Sequence, residues 1–306
     1  MMASVSDAIG RLTEIRAAGP TAIRQALAAR RRFRPNPECG DRFLVIAADH
    51  PARGALSAGS NPRAMANRAD LLRRCAIALG RDGINGFLGT PDVIEDLALL
   101  GALEGKWVFG SMNRGGLQGA AFEIDDRFTA YDPAGIVDAG LDGGKMLLRI
   151  DYADRATAPA LEACARAVSE LARAGRLAMI EPFISRRAGS AIVNELTPDQ
   201  VVDSIAIASG LGHTSAATWL KLPVVPQMRR VMESTTLPTL VLGGQVTDQA
   251  AARAGWAQAL TCPGVRGLVV GRALLYPLDD DVASTVDRAA ALLSPRPPAQ
   301  PSIPPT

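Results

Sequence analysis

GKMLLRIDYADRATAPALEACARAVSELARAGRLAMIEPF, residues 144–183, sets two short apolar runs on either side of a helical pattern. The runs at 144–150 and 176–183 have strand length, and the segment at 158–173 between them has helix length. A strand, a crossover helix and a second strand form one parallel unit. The same alternation continues in both directions. RFLVIAA (42–48), GINGFLG (83–89) and KWVFGS (106–111) precede it, and ATWLKL (217–222), PTLVLGG (238–244) and VRGLVVG (265–271) follow. Helical segments fall between and after them at 64–79, 90–101, 132–139, 197–210, 225–235, 247–261 and 279–293. Thr90-Pro91, Thr197-Pro198 and Asp279 read as helix starts. Eight strand–helix pairs within residues 42–293 predict an α/β protein of the (β/α)8 barrel class. The competing open sheet calls for a glycine-rich dinucleotide turn after its first strand; the sequence there is AADHPARGAL, without GxGxxG.

Around the barrel, at 41–293, the sequence predicts a helical extension over residues 1–40 and a disordered tail over 294–306. The extension reads as one or two helices over 5–32, with Gly19-Pro20 as the break. It closes on Arg30, Arg31, Arg32 and Arg34, read as a solvated helix end, with an anion site as the alternative. The tail SPRPPAQPSIPPT holds six prolines. No internal repeat of 20–50 residues is present.

The 306 residues are 48% hydrophobic and 21% charged with a net charge of +2, a balance that fits a packed core. That charge, with only 4% aromatics, speaks against a nucleic-acid surface. No apolar run approaches the roughly 20 residues of a membrane span. Asp7, Arg11 and Glu14 do not suit a signal peptide, so a cytoplasmic protein is expected. Cys39, Cys75, Cys164 and Cys262 form no CxxC pair and read as reduced thiols. The sequence leaves a homo-oligomer open.

Of 33 basic residues only Lys106, Lys145 and Lys221 are lysines. Chance and codon bias are one reading of so few. An amine, unlike a guanidinium, can lose its proton and attack a carbonyl. Two of the three lie on apolar runs, Lys145 in the fourth and Lys221 late in the sixth; Lys106 opens the third and reads as an exposed end residue. Asp49 ends the first run, Glu181 sits late in the fifth, and Arg149, a candidate substrate contact, and Asp151 share a face with Lys145 at period two. Charged groups inside such runs are costly to bury alone. A structural ion network is one reading of Asp49, Lys145, Glu181 and Lys221. Convergence at the C-terminal mouth of a barrel, where active sites lie, is the other.

The chemistry this set allows is Schiff-base catalysis. A lysine nucleophile must be neutral, and a neighbouring ammonium with partial desolvation favours that form, so Lys145 would act on Lys221. Glu181, as a carboxylic acid of raised pKa, would protonate the carbinolamine hydroxyl. Asp49 would take a substrate hydroxyl proton as a carbon–carbon bond breaks. No metal or cofactor is required. Catalytic zinc wants about three ligands, and only His50 and His213 exist. His50 is a candidate substrate contact or a plain loop residue; His213 reads as a loop residue. Gly243 and Gly244 after the seventh run, and Gly271 and Arg272 after the eighth, stand where barrels hold phosphate. Arg114, in SMNRGG, is a candidate for a second anionic group or a solvated loop arginine.

AADHPARG around Asp49, NRGG around Arg114, GGKMLL around Lys145, IEPF around Glu181, WLKLP around Lys221, LGGQ at Gly243-Gly244 and GRAL at Gly271-Arg272 occur in one order across residues 45–274. In that order they resemble the class I fructose-bisphosphate aldolases and the related tagatose-bisphosphate-type enzymes. The resemblance implies that Lys221 forms the Schiff base, that Glu181 is the acid–base group of the carbinolamine steps, and that Lys145 assists it. It implies that Asp49 handles the hydroxyl proton and that Gly244, Gly271 and Arg272 hold the phosphate of dihydroxyacetone phosphate. Arg114 stands where the family often has a lysine for the distal anion. His50-Pro51 replaces the family's usual pair, and the tail lacks the tyrosine of the animal enzymes. The expected activity is reversible cleavage of a phosphorylated ketose or keto-sugar acid to dihydroxyacetone phosphate and an aldehyde. Candidate substrates are the keto-deoxygluconate phosphate of inositol breakdown, fructose or tagatose bisphosphate, and a sulfo-sugar phosphate. A phosphosugar isomerase without covalent lysine, or a catalytically silent metabolite sensor, are the alternatives.

Overall fold

The computed structural model describes residues 2–33, 42–189, 191–244 and 248–293. Strands β1 (Phe43–Ala47), β2 (Gly86–Gly89), β3 (Trp107–Ser111), β4 (Gly143–Ile150), β5 (Leu177–Ala188), β7 (Thr218–Leu222), β8 (Thr239–Leu242) and β9 (Val265–Val270) pair in parallel, and β9 returns to β1. The expected (β/α)8 barrel is therefore the fold. Each strand is followed by helix within the span the sequence indicated, for example Thr157–Arg173 after β4 and Pro198–Ser209 after β5. Thr197 caps the second of these, accepting from the Gln200 amide at 3.3 Å. The last helix is capped by Asp281, which accepts from the Ser284 amide at 3.0 Å, and not by Asp279. Among the described residues no helix is long and apolar enough to cross a membrane.

β6 (Ala191–Asn194) was not expected. β5 runs past the barrel rim and pairs antiparallel with β6, Ser185 opposite Asn194. Arg186 and Arg187 are exposed there, so the segment lacks the apolar signature of a barrel strand.

The period of two sorts every strand into two concentric cores. Leu44, Ile46, Val108, Leu148, Ile180, Leu220, Val241 and Val270 face outward into the layer under the helices. Phe43, Val45, Ala47, Trp107, Phe109, Met179, Leu240 and Val269 face into the barrel. The interior is closed at its N-terminal end by aromatic rings. Trp107 lies 5.1 Å from Phe43, 5.0 Å from Phe109 and 5.4 Å from Trp219 between centroids, and Phe33 of the extension joins at 6.2 Å from Phe43. All but the tilted Phe43–Trp107 pair meet edge to face, and such pairs add about 0.5–1.5 kcal/mol each beyond burial.

The seating of Phe33 corrects two expectations. Arg30 is not a solvated helix end: it is buried, donating to Lys106 O at 2.7 Å and Gly140 O at 3.1 Å and pairing with Asp142 at 3.3 Å. The chain must cross the barrel floor, and the guanidinium just past the end of its helix Thr21–Ala29 satisfies the carbonyls there. Lys106 is half-buried and donates to Ile84 O at 2.7 Å. Cys75, Cys164 and Cys262 are buried free thiols; Cys39, Arg34 and the whole of 294–306 lie outside the described residues.

Candidate active site

The inward-facing rows are apolar at the floor and turn polar at the C-terminal mouth. Phe43, Val45 and Ala47 lead to Asp49; Trp107 and Phe109 lead to Ser111; Met179 leads to Glu181; Trp219 leads to Lys221. Lys145 reaches the same place from β4, where it is the Cα partner of both Ser111 and Met179. Asp49, Lys145, Arg114, Lys221 and Glu181 are between 2 and 8% exposed. They form one chain of alternating charge. Arg114 donates to Asp49 through Nη1 to the carbonyl and Nη2 to Oδ2, both at 2.8 Å. Lys145 Nζ lies 3.4 Å from Asp49 Oδ2 and contacts Glu181 Oε2. Glu181 Oε1 lies 2.9 Å from Lys221 Nζ.

Each carboxylate stands between two cations. Burial alone would raise the pKa of Asp49, but Arg114 and Lys145 hold it well below the usual carboxylate range. The raised pKa expected for Glu181 is not found: burial pushes it up, yet the Lys145 and Lys221 ammoniums outweigh burial and lower it to about 2. Lys145 is lowered to about 8, because burial with Lys221 and Arg114 outweighs Glu181 and Asp49. The stability consequence has a definite sign. Glu181 falls from 4.5 to about 2 on folding, so its contribution is complete above pH 4.5 and is lost as pH drops toward 2. Lys145 acts in reverse, its penalty present below pH 8 and relieved as pH climbs toward 10.5. Denaturant midpoints measured between pH 5 and 2 are expected to fall less steeply in Glu181→Gln than in the parent; equal slopes would show that this pair does not govern acid stability.

His50 follows Asp49, its Nδ1 3.8 Å from Asp49 Oδ1 and without a hydrogen-bond partner among the described residues. Burial, with Arg272, Lys221 and Arg114 nearby, lowers it to about 3, so the imidazole is neutral. It lies over Gly271, where a Cβ would come within 2.9 Å of His50 Cε1 and 2.5 Å of Ala47 O. Only glycine permits that approach. Gly243 and Gly244 follow β8, and residues 245–247 are not described. Arg272 is half-buried, donates to Ser57 O at 3.2 Å and makes no ion pair among the described residues. His213 contributes only its backbone amide, bonded to Ser169 Oγ at 3.0 Å.

Arg114 and Arg149, expected to face substrate, are both engaged. Arg149 pairs with Glu123 at 2.5 Å. Glu123 belongs to the long segment after β3 that covers one side of the mouth. Arg53 pins that segment, donating to Gly116 O at 2.7 Å and Asn113 O at 2.6 Å and contacting Asp126. Ser111 Oγ donates to Asp49 Oδ2 at 3.0 Å. Sequence reasoning missed Ser111, Arg53 and Glu123; Arg53 stands in AADHPARG, but nothing there marks it as a pin. Beside Arg114 opens a cleft of about 540 Å³, whose walls include Ala52, Thr90, Asp92, Leu117 and Thr129.

The sequence model described as Cgl0159-like matches residues 41–290. The chain belongs to the Cgl0159-like family. Cgl0159 from Corynebacterium glutamicum (Brevibacterium flavum), known as a crystal structure, is 54% identical with a TM-score of 0.91, over 94% of this chain and 97% of that one. Beyond the Cgl0159-like proteins the likeness is one of fold. An archaeal fructose-1,6-bisphosphate aldolase, solved with its catalytic lysine covalently bound to the carbinolamine intermediate, is 15% identical with a TM-score of 0.60, over 89% and 99% of the two chains. The fructose-bisphosphate aldolase of Slackia heliotrinireducens is 14% identical at 0.58, over 82% and 85%. No curated protein sequence matches the chain. The expected resemblance to class I fructose-bisphosphate aldolases thus holds at the level of the fold.

Proposed function

We propose that the protein is a class I aldolase that cleaves a phosphorylated ketose or keto-sugar acid through a Schiff base on Lys221. The observation that carries this reading is the placement of Glu181 between two buried amines, 2.9 Å from Lys221 on one side and in contact with Lys145 on the other. The archaeal relative, in which a lysine carries the carbinolamine on the same fold, supports it.

The steps balance with groups present in this chain. The Lys221 ammonium passes a proton to Glu181, and the free amine adds to the substrate carbonyl carbon. Glu181 hands that proton to the oxygen, and then carries a second proton from nitrogen to the carbinolamine hydroxyl. Water leaves with both, and the third hydrogen stays on the iminium nitrogen. The carboxylate that is ionised at rest thus becomes the acid only after it has discharged Lys221. The carbon–carbon bond then breaks toward the iminium, giving an enamine, while the hydroxyl on the departing carbon loses its proton and becomes an aldehyde. Asp49 Oδ1 suits that proton: Oδ2 takes Ser111, Arg114 and Lys145, whereas Oδ1 accepts no hydrogen bond among the described residues. Protonation of the enamine carbon and return of water free dihydroxyacetone phosphate. Gly243, Gly244, Gly271 and Arg272 would hold its phosphate, and His50 would stand beside it.

Borohydride reduction in the presence of dihydroxyacetone phosphate is the test. One stable adduct is expected, on the peptide containing Lys221. An unmodified Lys221 with active, folded protein would leave an isomerase using Glu181 or Asp49 as the better reading.

A further inference from the structure

We infer that the cleft beside Arg114 takes the aldehyde half of the substrate, and takes it without a phosphate group. This rests on the aldolase reading above and adds to it the chemical class of the second product.

The two sides of the mouth differ in how their cations are used. On the side of β1, β3 and β4, the buried Arg114 and Arg53 and the half-buried Arg149 each meet a buried carboxylate: Arg114 with Asp49, Arg53 with Asp126 and Arg149 with Glu123. Each terminal nitrogen of Arg114 already donates to Asp49, and its Nε, without a partner among the described residues, is buried. The other charged group in the cleft wall is a carboxylate, Asp92, which Arg68 and the Thr90 hydroxyl hold. Among the described residues that line the cleft, a phosphate dianion would meet no cation without a carboxylate partner, and removing it from water would go unrepaid. Thr129 instead offers an exposed hydroxyl that can both donate to and accept from a hydroxylated chain, and the Thr90 oxygen, whose hydrogen goes to Asp92, can only accept. After β9, which pairs with the other edge of β1, Arg272 has no carboxylate partner among the described residues, and only a carbonyl at 3.2 Å. One phosphate therefore has a cation to meet, and a second does not. The volume of about 540 Å³ accommodates a short hydroxylated aldehyde.

The test runs the aldol direction with the full chain, pairing dihydroxyacetone phosphate with glyceraldehyde or with glyceraldehyde 3-phosphate. kcat/KM is expected to be on the order of tenfold or more higher for the unphosphorylated aldehyde. Thr129→Lys, an exposed position in the cleft wall, should move the ratio of the two values toward the phosphorylated aldehyde; a ratio taken within one preparation is insensitive to partial loss of folded protein. A preference for glyceraldehyde 3-phosphate, turnover of neither aldehyde, or a ratio unmoved by Thr129→Lys would overturn the inference. The borohydride adduct separates the two levels. Adduct with the wrong aldehyde preference defeats this inference alone, whereas no adduct defeats the aldolase reading beneath it.

Discussion

With methionine in place of Lys221, turnover is expected to fall by on the order of 10⁴-fold or more, and the borohydride adduct to disappear. Lys221 lies inside the barrel, on the row that begins with Trp219 at the floor, and its amine touches Glu181 at 2.9 Å. Methionine preserves length and apolar volume, so the inner core keeps its packing. What is lost is the one atom able to bond to a ketone while a proton carrier waits beside it. The neighbouring amine cannot replace it, since Lys145 is already held by Asp49 and Glu181. Steady-state kinetics on a cleaved ketose, with a circular dichroism spectrum matching the parent, settle the matter. Activity within tenfold of the parent would remove Lys221 from the reaction.

Glu181→Gln should produce the second large effect, a fall in kcat of about 10²–10⁴-fold. Glutamine keeps the size and still accepts one hydrogen bond, but it shuttles no proton between Lys221 and the substrate oxygen. It also strands two ammoniums without the carboxylate between them, a loss of about 3–5 kcal/mol in stability when a buried pair is broken on one side. Lys145, already at about 8, would move lower, since Glu181 is the largest influence holding it up. Three readouts therefore change together: slower adduct formation, a lower melting temperature and an alkaline limb of the rate profile displaced to lower pH. A variant that melts early yet forms adduct at the parental rate would make Glu181 structural only.

The barrel and the inner line of Asp49, Lys145, Glu181 and Lys221 were legible because both depend on local pattern. A strand buried on both faces shows a polar residue as an interruption, and a period of two assigns that residue to a face. What was not legible depends on pairs distant in the chain. Arg53 meets Gly116 across 63 positions and Arg30 meets Asp142 across 112, and no local spacing reports such meetings. Arg114 had the right neighbourhood and the wrong partner: its guanidinium serves Asp49, which only the assembled mouth reveals. The direction of the Glu181 shift failed for the same reason. Burial predicts a rise, and the two flanking ammoniums reverse it.

The aromatic floor has a kinetic corollary. Among the described residues, rings from Phe43, Trp107, Phe109 and Trp219, backed by Phe33, fill the floor of the well and leave its opening at the C-terminal mouth. Under the proposed chemistry everything enters and exits by that door. The fragment tethered to Lys221 stays behind while the untethered aldehyde diffuses out ahead of it, so departure of the two halves is sequential and each can block the other's way back in.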